Sequence, residues 1–145
     1  MASFGDSYPD LDTLVYQALR VQLPDEISLA SELDVFSVDE LPLVMFDTSG
    51  AGVSENRRGV WPFTLTIWAF SLDSMEAFAT ANTVYKVLRS WSQSVEVPGY
   101  GGLRYRQPLT LLAGTGGEEK AMIGKPIRQV TGSFELLALE PPYFE

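Results

Sequence analysis

The chain contains no cysteine and no histidine. The first absence excludes disulfides, thiolate nucleophiles and thiolate metal sites together. The second removes the most used general base and the commonest transition-metal ligand. Cations are also scarce: 10 Lys and Arg stand against 19 Asp and Glu, a formal net charge of -9. Nucleic-acid backbones are bound by exchanging protein cations for counterions, so this balance disfavours tight binding to them. It suits a surface past which DNA slides without sticking. No run of about 18 apolar residues occurs, which argues against a membrane span. Met1 to Pro9 has neither a basic start nor an apolar stretch, so no secretory signal is expected.

What remains is ordinary for a globular protein: 46% hydrophobic and 20% charged residues over 145 positions. One domain with one core is the expectation. Residues 1–10 read as an N-terminal tail, 11–140 as the folded domain and 141–145 as a C-terminal tail.

Periodicity supplies the elements. Asp10 is placed to cap a helix from Leu11 to Leu23, whose Leu11, Leu14, Val15, Ala18 and Leu19 form one apolar stripe. Pro24 closes it. Asp25 to Glu32 reads as a polar connector, and Leu33 to Val38 as an edge strand. Leu41 to Phe46 is a nearly continuous apolar run, which suits a central strand. Asp47 to Gly59, with three glycines and Arg57-Arg58, reads as a loop between two strands. From Trp61 to Phe70, Trp61, Phe63, Leu65, Ile67 and Ala69 alternate on one face. The other face goes from Thr64 and Thr66 to Trp68 and Phe70, so it should be covered at its aromatic end. Pro62 belongs at the start of this strand or on an edge. Asp73 with Glu76 resembles a capping box for a helix from Ser74 to Trp91, with Phe78, Ala81, Tyr85 and Leu88 as its sheet-facing stripe. Val95 to Arg128 is irregular apart from a short strand at Leu103 to Gln107. Gln129 to Leu139 is the last strand, with Val130, Phe134, Leu136 and Ala138 on one face. The expected fold is α+β: a mainly antiparallel β-sheet with two α-helices packed on one face, plus long loops.

Candidate chemistry is thin. Gly114 to Lys120 superficially matches a phosphate-binding loop, but Glu119 stands where glycine is needed and Ala121 where Ser or Thr is needed. Glu118 and Glu119 point apart on an extended chain, and no third carboxylate has suitable spacing for a metal. Trp61, Trp68 and Trp91 are better read as core than as a ligand platform. No catalytic residue, metal site or cofactor is assigned. The concentrated positive charge, Arg57, Arg58, Arg104 and Arg106, suits salt bridges to an acidic neighbouring subunit better than phosphate contact, and for Arg57-Arg58 a simply solvated role fits as well. Arg104 and Arg106 should share one strand face. Tyr100, Tyr105, Tyr143 and Phe144 lie where aromatics would be exposed in a monomer and point to a protein partner.

The order of these elements resembles the tail terminator family of long-tailed, non-contractile bacteriophages. The resemblance is carried by Leu14-Val15-Tyr16-Gln17-Ala18-Leu19, Leu41-Pro42-Leu43-Val44-Met45-Phe46 and the glycine-bearing loop after it. The strand ending Ala69-Phe70, the helix Met75 to Leu88 and Arg128-Gln129-Val130-Thr131-Gly132-Ser133-Phe134-Glu135-Leu136 complete it. It implies a structural protein, not an enzyme: a hexameric ring in the virion, at the head-proximal end of the tail, assembled in the host cytoplasm. The ring would cap the tail tube, stop its polymerisation and join it to the head connector. Partners would be copies of itself, the tube protein and the connector or stopper protein, with DNA passing through unbound. Alternatives are another head-tail connector or head-completion protein, close to the same resemblance, a small-ligand-binding or enzymatic α+β domain, or the tail tube subunit, against which the two helices count.

Overall fold

The computed structural model describes residues 10–30, 41–50, 60–110, 112–114, 120–122 and 125–139. Helix α1 spans Leu11–Gln22, and Asp10 caps it by accepting from Thr13 N and Thr13 Oγ1. Its last turn carries Arg20, which donates to the carbonyls of Pro24 and Ile27, so a cation satisfies acceptors beyond the helix end. Strand β1, Ser28–Ala30, follows and runs parallel to β2, Leu43–Gly50. β2 turns into an antiparallel pair with β3, Val60–Ser71. Helix α2, Ser74–Arg89, is capped by Asp73. Then come β4 (Val95–Val97), β5 (Gly101–Pro108), β6 (Ala113–Gly114), β7 (Lys120–Met122) and β8 (Lys125–Leu139).

The protein is α+β, and its strands run in the order β1-β2-β3-β8-β5-β4. β8 is the spine. One side pairs with β3 from Ser71↔Arg128 to Val60↔Leu139, and the other meets β5, β6 and β7 in succession. The sheet is curled. α2 lies on the central strands β3 and β8, whereas α1 touches β1 and β2 near one edge and β4 and β5 at the other. Six flat strands span about 24 Å, and a 12-residue helix is only about 18 Å long. One such helix meets both ends only if the sheet bends round it.

Both helices face the main core. α1 contributes Leu14, Val15, Ala18 and Leu19 to it, and α2 contributes Ala77, Ala81, Val84 and Leu88. The alternating faces read from the sequence are the ones buried: Phe63, Leu65, Ile67 and Ala69 on β3, and Val130, Phe134, Leu136 and Ala138 on β8. On the reverse face, Leu43, Met45, Phe70 and Ile127 form a smaller cluster, with Trp68 packed against it. The aromatic end of β3 is therefore covered, as its sequence implies. Between Val60 and Pro62, β3 pairs only with β8 among the described residues, so Pro62 leaves no broken bond in a two-sided ladder.

Four expectations need correction. Phe78 is not on the sheet-facing stripe of α2; it is 47% exposed. The buried stripe is Ala77, Thr80, Ala81, Val84 and Leu88. At about 100° per residue, Phe78 stands a quarter-turn round from Ala77, and small residues bring the helix close to the sheet. Asp47 to Gly50 is not loop, because it continues the β2–β3 ladder opposite Thr66 to Phe63. The polar connector contains β1, whose Leu29 packs on the main core. Among the described residues, the segment from Val95 to Arg128 holds β4 to β7 and the start of β8, more strand than the one expected at Leu103 to Gln107. The expected strand at Leu33 to Val38 lies outside the described residues.

Leu65→Ala, at a fully buried position, should lower unfolding free energy by about 2–5 kcal/mol. Phe78→Ala, at a half-exposed one, should lower it by less than about 1 kcal/mol. Urea midpoints at constant slope would show this. Equal losses would refute the assignment of α2's faces.

Candidate functional site

The sheet and α2 bring four groups together beside the C-terminal turns of the helix. Tyr85 projects from the flank of α2, about 80° round from Ala77. It stacks on Phe134 of β8 with centroids 5.9 Å apart, and meets Tyr105 of β5 edge-on at 6.4 Å. Tyr105 and Phe134 are 6.2 Å apart, which closes the triangle. Arg89, one turn along the helix, donates to the Tyr85 hydroxyl at 3.2 Å and lies 5.8 Å from its ring centre. That bond raises the guanidinium pKa. Burial, and then the neighbouring Tyr85, push the Tyr105 phenol above its ordinary range. The Tyr105 hydroxyl is buried without a hydrogen-bond partner among the described residues.

Tyr105 is thus a core residue, 7% exposed, and not the exposed aromatic expected from the sequence. The reason is strand parity. Leu103 and Tyr105 fall on the helix side of β5, while Arg104 falls on the other, opposite Leu137. Tyr105 N donates to the Trp91 carbonyl at 3.0 Å, which locks the C-terminal end of α2 against β5. Trp91 is itself buried, so reading it as core holds. Trp61 packs on the main cluster and Trp68 on the reverse one.

The remaining expected contact residues divide. Tyr100 is exposed, in the turn between β4 and β5. Arg106 is exposed and sits at a bulge, because the register with β8 shifts between Tyr105 and Gln107. Alternation from Arg104 therefore does not carry over to Arg106. Arg104 is half-buried, and its Nε has no hydrogen-bond partner among the described residues. Arg57, Arg58, Tyr143 and Phe144 lie outside the described residues.

The phosphate-loop look of Gly114 to Lys120 lacks the needed context. Gly114 ends one strand paired with β8 and Lys120 opens another, and the next described element after β7 is β8, not a helix. Among the described residues no cluster of acidic side chains could hold a metal ion, and no helix is long and apolar enough to cross a membrane. What the sequence did not single out is an apolar group at the start of α2. Leu72, Met75 and Phe78 are all exposed. The signal was there, because Met75 lies about 160° from the stripe centred on Ala77.

No protein-family model matches the chain, and no curated protein does. One solved structure, 9% identical, superposes with a TM-score of 0.50 over 87% of this chain and 94% of its own. At that identity the likeness shows the fold alone.

The phenol of Tyr105 holds its proton more tightly in the folded state than in the unfolded chain. Its contribution is therefore whole below the ordinary value of 10.0 and is lost as pH rises through the folded one. Thermal melts of wild type should fall more steeply above pH 10 than those of Tyr105→Phe. Parallel pH profiles would show that this hydroxyl is not desolvated.

Proposed function

We propose that this chain is a phage tail terminator, a structural protein that works as a hexameric ring at the head-proximal end of the tail. It caps the tube, stops its polymerisation and joins it to the head connector. The observation that carries this reading is where the apolar surface lies. Among the described residues, the buried polar side chains are only Ser71 and Thr80. Thr80 belongs to the packing stripe of α2, and Ser71 donates to Glu76 in its first turn. Exposed apolar groups sit instead at the rim: Val21, Met75 and Phe78 on the helices, Tyr100 and Leu109 on either side of β5. Such a distribution suits contact with other proteins.

Two further points support it. The helix, strand, strand, helix and final long strand on which the sequence resemblance rests are present as α1, β2, β3, α2 and β8. The charge of -9 suits a ring around passing DNA, since an acidic wall does not hold the phosphate backbone.

A phage lacking this protein should make tails of uncontrolled length, or full heads without tails. Purified protein mixed with tube subunits should appear in micrographs as a ring at one tube end. Normal-length tails that join heads in the null mutant would overturn the proposal and reopen the ligand-binding and enzymatic readings.

A further inference from the structure

We propose that the start of α2 and the outer edge of β5 are the two halves of one contact between neighbouring copies of this chain. This deepens the ring reading above and rests on it. The first patch is apolar and acidic: Leu72, Met75 and Phe78, exposed at 39%, 79% and 47%, with Asp73 and Glu76 between them. The second is aromatic, apolar and basic: Tyr100 and Leu109, exposed at 45% and 48%, bracket Arg104 and Arg106.

Geometry separates the two patches. α2 starts just beyond Ser71, which is paired with Arg128 at one end of the β3–β8 ladder. Arg104 is paired with Leu137, nine positions further along β8. At about 3.3 Å per residue, the second patch runs from about 17 Å along the sheet at Leu109, whose N–H donates to the Ser133 carbonyl, to about 30 Å at Arg104. They also differ in face, for α2 packs on the helix side of the sheet and Arg104 points to the reverse. One copy therefore cannot bring its own patches together. Two copies can, and the contact is head-to-tail, the kind that closes into a ring when its rotation permits.

Charge selects a second copy as the occupant. Identical chains of charge -9 repel at long range, so a stable contact must set opposite signs against each other. Among the described residues neither guanidinium of β5 is ion-paired within its own chain. Glu135, the nearby carboxylate across the ladder, accepts from Gln107 at 2.7 Å and pairs with neither arginine. Past Leu103 no strand covers the outer side of β5 among the described residues, so its arginines are open to a neighbour. The guanidiniums of Arg104 and Arg106 would gain from Asp73 and Glu76 of a second copy the ion pairs that the described residues of their own chain do not give them.

The test uses the full chain in solution, with mass read by light scattering. Two variants, Phe78→Glu and Arg106→Glu, each change one exposed side chain. Each alone should shift from ring mass to monomer and melt within a few degrees of wild type. Mixed in equal amounts they should form a dimer and nothing larger, because each retains the patch that the other has lost. If either fails to fold, Met75→Ala and Arg106→Gln replace them. The concentration at half-assembly should then rise about tenfold or more, the effect of losing about 1.4 kcal/mol at one contact. Ring-sized particles from either variant alone, or a mixture that stays monomeric, would overturn the pairing of patches and leave the ring reading intact. A wild type that remains monomeric with and without tube subunits would overturn both.

Discussion

The ladder between β3 and β8 is the constraint on which the rest depends. Val60 to Ser71 face Leu139 to Arg128 without a break. In a strand the side chains alternate, so this register decides what is core and what is surface in one step. It aligns Phe63 with Leu136 and Leu65 with Phe134 under α2, and Thr64 with Glu135 and Thr66 with Ser133 on the reverse. The hydroxyls of Thr66 and Ser133 lie 3.1 Å apart, so the reverse face is knit by polar contacts. A slip of one residue would turn the core outward and set Thr and Glu against the helix. Most of the other elements attach to this pair directly, β2 beside β3, β5 to β7 beside β8 and α2 across both, and β1 and β4 join through β2 and β5.

The ladder was legible because its alternation is strict. The two N-caps were equally legible, since Asp10 and Asp73 each accept a backbone N–H of the first turn. The failures share a cause: side-chain identity stands in for position. A phenylalanine in a helix looks like core, yet alanines and a threonine make the close approach of α2 to the sheet possible, and Phe78 is left to one side. Glycines after Phe46 look like loop, yet β3 is long enough to hold Asp47 to Gly50 in its ladder. β1, β4, β6 and β7 are two or three residues each. Elements that short carry no periodicity, and only the neighbouring strand makes them.

Surface roles were legible in part for the same reason. Arg106 and Tyr100 are exposed as their composition suggests, whereas Tyr105 is claimed by the core through strand parity. What could not be read beforehand is which face of β5 meets the helices, and the bulge between Tyr105 and Gln107, which takes Arg106 out of step with Arg104 and has no signature in residue type here. Gly132 shows the reverse case. A methyl group there would come within 2.7 Å of the end of the Leu112 side chain. The missing side chain makes room for a residue that follows β5 to lie on the sheet, a long-range need that a local reading does not reveal.

A curled sheet has a consequence for assembly. Because α1 reaches strands near both edges of the sheet, the helices and the concave face form one closed core, and the core offers no large surface to a partner. In the ring proposed above, contact with other copies would use what the curl leaves outside: the first turn of α2, the reverse face and the strand edges. These regions differ in sign and shape, so no single patch is complementary to itself. An isologous dimer, which needs a self-complementary patch, is disfavoured, and a heterologous contact remains. The acidic balance of the chain strengthens the point. Self-association has to concentrate the few cations where a neighbour's carboxylates arrive, and in the described structure the pair so placed, open at a strand edge, is Arg104 and Arg106. Closure of such contacts into a ring, not into an open filament, then depends on the angle that the sheet's curl sets between the two patches.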